Sequence, residues 1–202
     1  MTMTTFYPFG NRQAAAWLLA PQPVDFGYPQ PGAGPMSNHA LVQMFEHKAW
    51  SNQRLIAALR AAPEGVDRRE MAIVLLTLEH TGIVDRIFKA RLTGGEHGFA
   101  AVTGDTRPDI DRLAEMLRAT DAWYVDYVGR VSEEELEAVV EFTYVDGDPG
   151  RMTKGQILGH LITHGAAHRG AIGGRLGAMH VAGPSDMMTT FRRPEPVTSD
   201  TP

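Results

Sequence analysis

Three histidines stand at positions 160, 164 and 168 of a 202-residue chain that contains no cysteine. In an α-helix a step of four residues turns the chain about 400°, so neighbours in this series share a face one turn apart. Two imidazoles so spaced can close on one metal ion. His164 and His168 continue the apolar line Leu161, Ile172 and Leu176, whereas His160 drifts toward the edge of that face. Neutral imidazole is a good ligand for zinc, nickel, copper and iron(II), but two ligands rarely make a site, and a third must come from another helix. His80 is the natural third, because it lies in a second apolar stripe between Leu76 and Val84, where a bare imidazole would lose water without gaining a partner. A lone histidine in such a stripe is more often a hydrogen-bonded core residue, and i, i+4 histidines also arise on solvated faces. The convergence of all three on core-facing stripes favours a metal set of His80, His164 and His168, with His160 as a supporting or alternative ligand. Three nitrogens leave coordination positions open for water or a cosubstrate, as in catalytic rather than structural sites.

Four amphipathic runs must position these residues. The first starts near Ser37, carries Leu41, Met44, Phe45, Leu55, Ile56 and Leu59 at helical spacing, and ends at Pro63. The second runs from about Asp67 to Leu92 and stops at Gly94 and Gly95; the third opens at Asp109 and includes Leu113, Met116, Leu117, Trp123, Tyr124 and Tyr127 before a Glu-rich turn at 133–135. Val139, Val140, Phe142, Tyr144 and Val145 suit a small strand or hairpin, with Asp146-Gly147 and Pro149-Gly150 as turn residues. Thr153 can cap the last run, from about Lys154 to Met179. Its glycines at 155, 159, 165, 170, 173, 174 and 177 each cost about 1 kcal/mol against alanine, which close approach of a neighbouring helix would justify. The expected fold is all-α: four helices around one core, with the hairpin before the last. Residues 1–36 form a Pro/Gly-rich arm, 37–192 the domain, and 193–202 a disordered tail.

Composition narrows the function. Lys and Arg total 19 against 24 Asp and Glu, a formal charge of -5, so the basic field that nucleic-acid binding needs is not indicated. The absent cysteines exclude thiolate zinc sites, iron–sulfur clusters and a cysteine nucleophile. Gly170, Gly173 and Gly174 lie inside a helix rather than between a strand and a helix, which removes a phosphate loop. No stretch approaches the roughly 20 apolar residues of a membrane span, and no secretory signal opens the chain, so a cytoplasmic location is expected.

Together these residues resemble the DinB-like (DinB/YfiT) superfamily of four-helix bundles. The resemblance spans about residues 37–192. It rests on Trp50-Ser51-Asn52, similar to the family's Trp-Ala-Asn signature, on His80, on the run His164-Gly-Ala-Ala-His168-Arg169-Gly170, and on Pro184-Ser185-Asp186 after the last helix. Ala167 and Ala171 depart from the family pattern, where a second histidine and a glutamine often stand; neither touches the three ligands. The resemblance implies an up-down-down-up bundle, commonly a homodimer, with a divalent ion (Zn, Ni, Fe or Mn) held by His80, His164 and His168. Members with known roles include transferases and isomerases using low-molecular-weight thiols such as bacillithiol or mycothiol; many others are called metal-dependent hydrolases.

Two functional expectations follow. One is a metal-dependent enzyme that activates a thiol or water against a small-molecule substrate, with Trp50, Asn52, Trp123 and Tyr127 available to line a pocket or simply to pack. Arg169 would then hold an anionic substrate or, more simply, pair with Glu79 or Asp85. The other is a non-enzymatic metal- or ligand-binding bundle with a stress-related role. Glu79 directly precedes His80 instead of forming His-Glu-x-x-His, so no acidic general base stands at a diagnostic spacing.

Overall fold

The computed structural model describes residues 38–104 and 106–192. Its long helices are α1 (Asn38–Arg60), α2 (Arg68–Thr93), α3 (Ile110–Arg130) and α5 (Lys154–Ala178), with short α4 (Glu133–Glu137) and α6 (Met188–Phe191) and a hairpin of β1 (Val139–Thr143) and β2 (Pro149–Thr153). The expected arm at 1–36, the Ser37 cap and the tail at 193–202 lie outside the described residues.

Local chemistry sets the boundaries. The Asp67 carboxylate accepts from the Arg69 and Glu70 amides to open α2, and Gly94 closes it in the left-handed conformation at φ 69°. Asp109 caps α3 in the same way. Thr153 and Gln156 form a reciprocal capping box at the start of α5.

The directions of the helices follow from which residues meet. Asn38 at the start of α1 donates to the Val131 carbonyl just beyond α3, while Arg60 at its end pairs with Asp111 at the start of α3, so these two are antiparallel. Glu70 early in α2 pairs with Arg175 late in α5, and Phe88 late in α2 meets His160 early in α5, so these are antiparallel too. Lys48 lies against Gly165, and Asn52 bonds Arg169, which makes α1 and α5 parallel. Gly82 backs onto Met116 and Leu117, and the Tyr124 hydroxyl donates to the Asp85 carbonyl, which makes α2 and α3 parallel. The result is the expected up-down-down-up bundle.

Its apolar interior is divided. One cluster, at the α4 and hairpin end, gathers Leu41, Phe45, Phe88, Tyr124, Val128, Ile157 and Leu161; the other gathers Leu55, Leu59, Val74, Leu78, Leu117, Ile172 and Leu176. Between them in every long helix come buried polar residues: Lys48 and Asn52 in α1, Asp85 in α2, Asp121 in α3 and Arg169 in α5.

Three local expectations need correction. The Glu-rich segment is a turn of helix, α4, because Ser132 and Glu135 make a second capping box. Pro149 and Gly150 begin β2 rather than finish the turn: Pro149 pairs with Thr143 at the strand's first position, where a missing N–H is tolerated, and a Cβ at Gly150 would meet the Phe142 ring at 2.4 Å. Close helix approach accounts for only part of the glycine content of α5. Gly165 faces Lys48 and Arg169, but a Cβ at Gly159, Gly170, Gly173, Gly174 or Gly177 would meet nothing within 4 Å.

Candidate metal centre

The antiparallel pairing of α2 with α5 brings His80 opposite His164 and His168. One ligand atom from each lies within 4.8 Å of the others, and the three rings are half-buried. Their centroids are 5.0 Å apart for His80 and His164, 4.9 Å for His80 and His168, and 4.5 Å for His164 and His168.

The tautomer of His80 can be derived. Its Nδ1 lies 2.8 Å from the Val102 carbonyl, which can only accept, so Nδ1 carries the proton and Nε2 presents a lone pair. That lone pair is 3.1 Å from Nε2 of His164. Two nitrogens each about 2.0–2.1 Å from one zinc ion would be separated by about 3 Å, so the spacing fits a shared cation. The donor set fits as well, because burial, followed by the neighbouring His168, His80, His160 and Lys48, depresses the His164 pKa to about 3. Burial and the adjacent His80 lower His168 in the same direction. Neutral rings are what a metal requires.

The loop after α2 supports this face. Besides the Val102 carbonyl on His80, the Gly104 amide donates to the Glu79 carboxylate, whose pKa is raised by burial and only partly restored by that bond. Arg86 stacks on Phe99 in the same loop, and His97 bonds both Arg91 and the Phe99 amide. His97 thereby ties the loop to α2.

The remaining candidates separate. His160 adjoins the site: its ring is 5.2 Å from that of His164 and packs edge-on against Phe88, and burial lowers its pKa. Arg169 does not pair with Glu79 or Asp85 as expected; its Nε donates to Asp186 at 2.8 Å and its Nη1 to Asn52 at 3.3 Å, because the segment after α5 folds back over it. Trp50 instead joins His47 and Phe191 in an aromatic cluster, with the Arg54 guanidinium over its ring. Trp123 and Tyr127 stack on each other beside the core.

Sequence reasoning missed the ionic layer beside the triad. Lys48 Nζ is bonded to Asp85 at 2.6 Å and to Asp121 at 2.7 Å, and Asn52 donates to the other oxygen of Asp121. Burial pulls the Lys48 pKa down, but the two carboxylates outweigh it and hold the ammonium charged; burial raises Asp85 against the pull of Lys48. The available signal was a charge inside an apolar line: Lys48 between Phe45 and Leu55, and Asp121 between Leu117 and Tyr124. His47 is likewise no surface residue, since it lies 3.7 Å from Asp186 and packs on Trp50.

Comparison with known proteins agrees with the architecture. The chain is 26% identical over 152 residues to "Protein DinB" of Bacillus subtilis (strain 168), an alignment covering 68% of this chain and 84% of that protein. No solved structure matches it. No helix among the described residues is long and apolar enough to cross a membrane. The DinB family profile matches residues 36–198, and the chain belongs to the DinB family.

Proposed function

We propose that the protein is a metal-dependent enzyme of the thiol S-transferase or hydrolase type, in which His80, His164 and His168 hold one divalent ion. The observation that carries the reading is the convergence of three half-buried imidazoles from two helices on one point. A divalent ion bound there supplies Lewis acidity, which lowers the pKa of a thiol or a water. The Val102 carbonyl fixes the His80 tautomer, and the depressed proton affinity of His164 keeps its nitrogen available to a cation near neutral pH. His160, backed by the buried Phe88, lies on the flank of the triad, where its ring would contact a small-molecule substrate. With no cysteine in the chain, any thiolate chemistry must use a low-molecular-weight thiol as cosubstrate.

The functional unit in this reading is residues 37–192, acting in the cytoplasm as a homodimer. The glycines of α5 that meet nothing within the fold would admit a second protomer's helix. A non-enzymatic metal-binding bundle is the second reading, favoured by the absence of a carboxylate in the triad itself. Incubating the metal-loaded protein with thiols and electrophiles, and separately with esters and amides, decides between them. Thiol adduct formation or hydrolysis that disappears in His164→Ala supports the enzyme; a loaded protein inert in both panels contradicts it.

A further inference from the structure

The triad carries an ambiguity that its own residues do not resolve. His160, His164 and His168 repeat every four residues, so sliding α5 by one turn, about 5.4 Å, along α2 would present another adjacent pair of histidines to His80. The apolar clusters above and below are built largely of leucine, isoleucine and valine, which repack on one another at modest cost, while Phe45, Phe88 and Tyr124 of the one cluster resist a slide by shape.

We propose that the buried layer of Lys48, Asn52, Asp85, Asp121 and Arg169 is a register lock for the histidine triad: a set of positioning residues that holds the one alignment in which His80 faces His164 and His168. The proposal rests on the metal reading above. Lys48 of α1 binds α2 through Asp85 and α3 through Asp121; Asn52 of α1 binds α3 through Asp121 and receives Arg169 of α5. All four long helices are thereby joined at one level. That level is the triad's own, since Gly165 follows His164, Arg169 follows His168 and Asp85 comes a little over a turn after His80. Gly165 permits the contact: a Cβ there would stand 3.1 Å from Arg169 Nη1 and 3.5 Å from Lys48 Cε.

The physical logic is selectivity rather than strength. A buried ion cluster adds little net stability compared with a well-packed apolar one, but separating its partners leaves charges unpaired in a medium that cannot solvate them. A slide of one turn either carries Asp85 of α2 away from Lys48, or carries Arg169, together with its partner Asp186, away from Asn52 and leaves that buried amide oxygen without a donor. Polar groups in helix interfaces act in this way to fix register.

The test compares cobalt(II) binding, read from its visible absorption, in the full chain and three variants. The wild type should bind and His164→Ala should not; absence of binding by the wild type, or unchanged binding by His164→Ala, overturns the metal reading and the lock with it. In K48M/D85L/D121L three of the layer's five side chains are replaced by apolar ones, which removes its links from α1 to α2 and from Lys48 to α3. The lock predicts a folded bundle with cobalt affinity lowered about tenfold or more, in the range seen when supporting shells of metal sites are removed, and an altered absorption band. A folded triple variant with wild-type affinity and spectrum overturns the lock alone. Should that variant not fold, Asn52→Leu, which cuts the bonds of α1 to Asp121 of α3 and Arg169 of α5 and leaves Lys48 paired, decides: weakened binding with a shifted band supports the lock, and unchanged binding overturns it.

Discussion

Nε2 of His80 and Nε2 of His164 lie 3.1 Å apart although 84 residues separate them in the chain. With Nδ1 of His80 committed to the Val102 carbonyl, Nε2 is the ring atom that His80 turns toward His164. The antiparallel pairing of α2 and α5 produces this approach.

The metal-free protein should lose stability on acidification. The His164 pKa falls from 6.5 to about 3 on folding, so between these values the unfolded chain binds the extra proton and the folded chain does not. The contribution is fully present above pH 6.5 and is lost as pH falls toward 3; His47, His160 and His168 act in the same direction, and Asp85 in the opposite one. Melting temperature in chelator should fall steadily from pH 7 to pH 5, and His164→Leu should make that slope shallower. A wild-type melting temperature that does not change over this range would contradict the argument.

Lys48→Met should be severely destabilising. It leaves Asp85 and Asp121, 1% and 3% exposed, without their shared cation. Breaking a buried pair by removing one partner costs about 3–5 kcal/mol, which urea unfolding would report directly. A loss typical of surface substitutions would show that the layer is not held by this lysine.

Gly104→Val should weaken metal binding without touching a ligand. A Cβ at position 104 would stand 2.3 Å from Glu79 Oε2, so the carboxylate must turn away, and the loop that presents the Val102 carbonyl to His80 loses its Gly104 tie to α2. Loss of such a supporting contact costs about 10–100-fold in metal affinity. Competition with a chelating dye measures it, and Glu79→Gln, which keeps an acceptor for the Gly104 amide, should retain most of the affinity.

Gly150→Ala should disturb the hairpin, since the added methyl would meet the Phe142 ring, which in turn packs edge-on against Phe88 at 5.5 Å between centroids. Overpacking of this kind costs about 1–3 kcal/mol. The same substitution at Gly173, which faces open space, should be neutral or stabilising, so the two thermal shifts should have opposite signs or differ clearly in size.

Much of this arrangement was legible in the sequence because it depends on periodicity and caps. His80, His164 and His168 announced themselves by falling on apolar stripes, and Asp67, Asp109 and Thr153 stand where the helices begin. What stayed hidden depends on long-range geometry. Nothing near Arg169 indicates that Asp186 folds back onto it, and Lys48 reads as a solvated charge until Asp85 and Asp121 arrive from two other helices. The α5 glycines show the converse, since a local helix cost does not require an internal neighbour: in α5 only Gly155 and Gly165 face one.

Anomalous scattering at the metal absorption edges, from crystals of protein purified without chelator or a nickel column, tests the central claim most directly. The account predicts one divalent ion per chain, with nitrogens of His80, His164 and His168 around it. An ion bound elsewhere, or a metal-saturated crystal with no anomalous peak between α2 and α5, would contradict it.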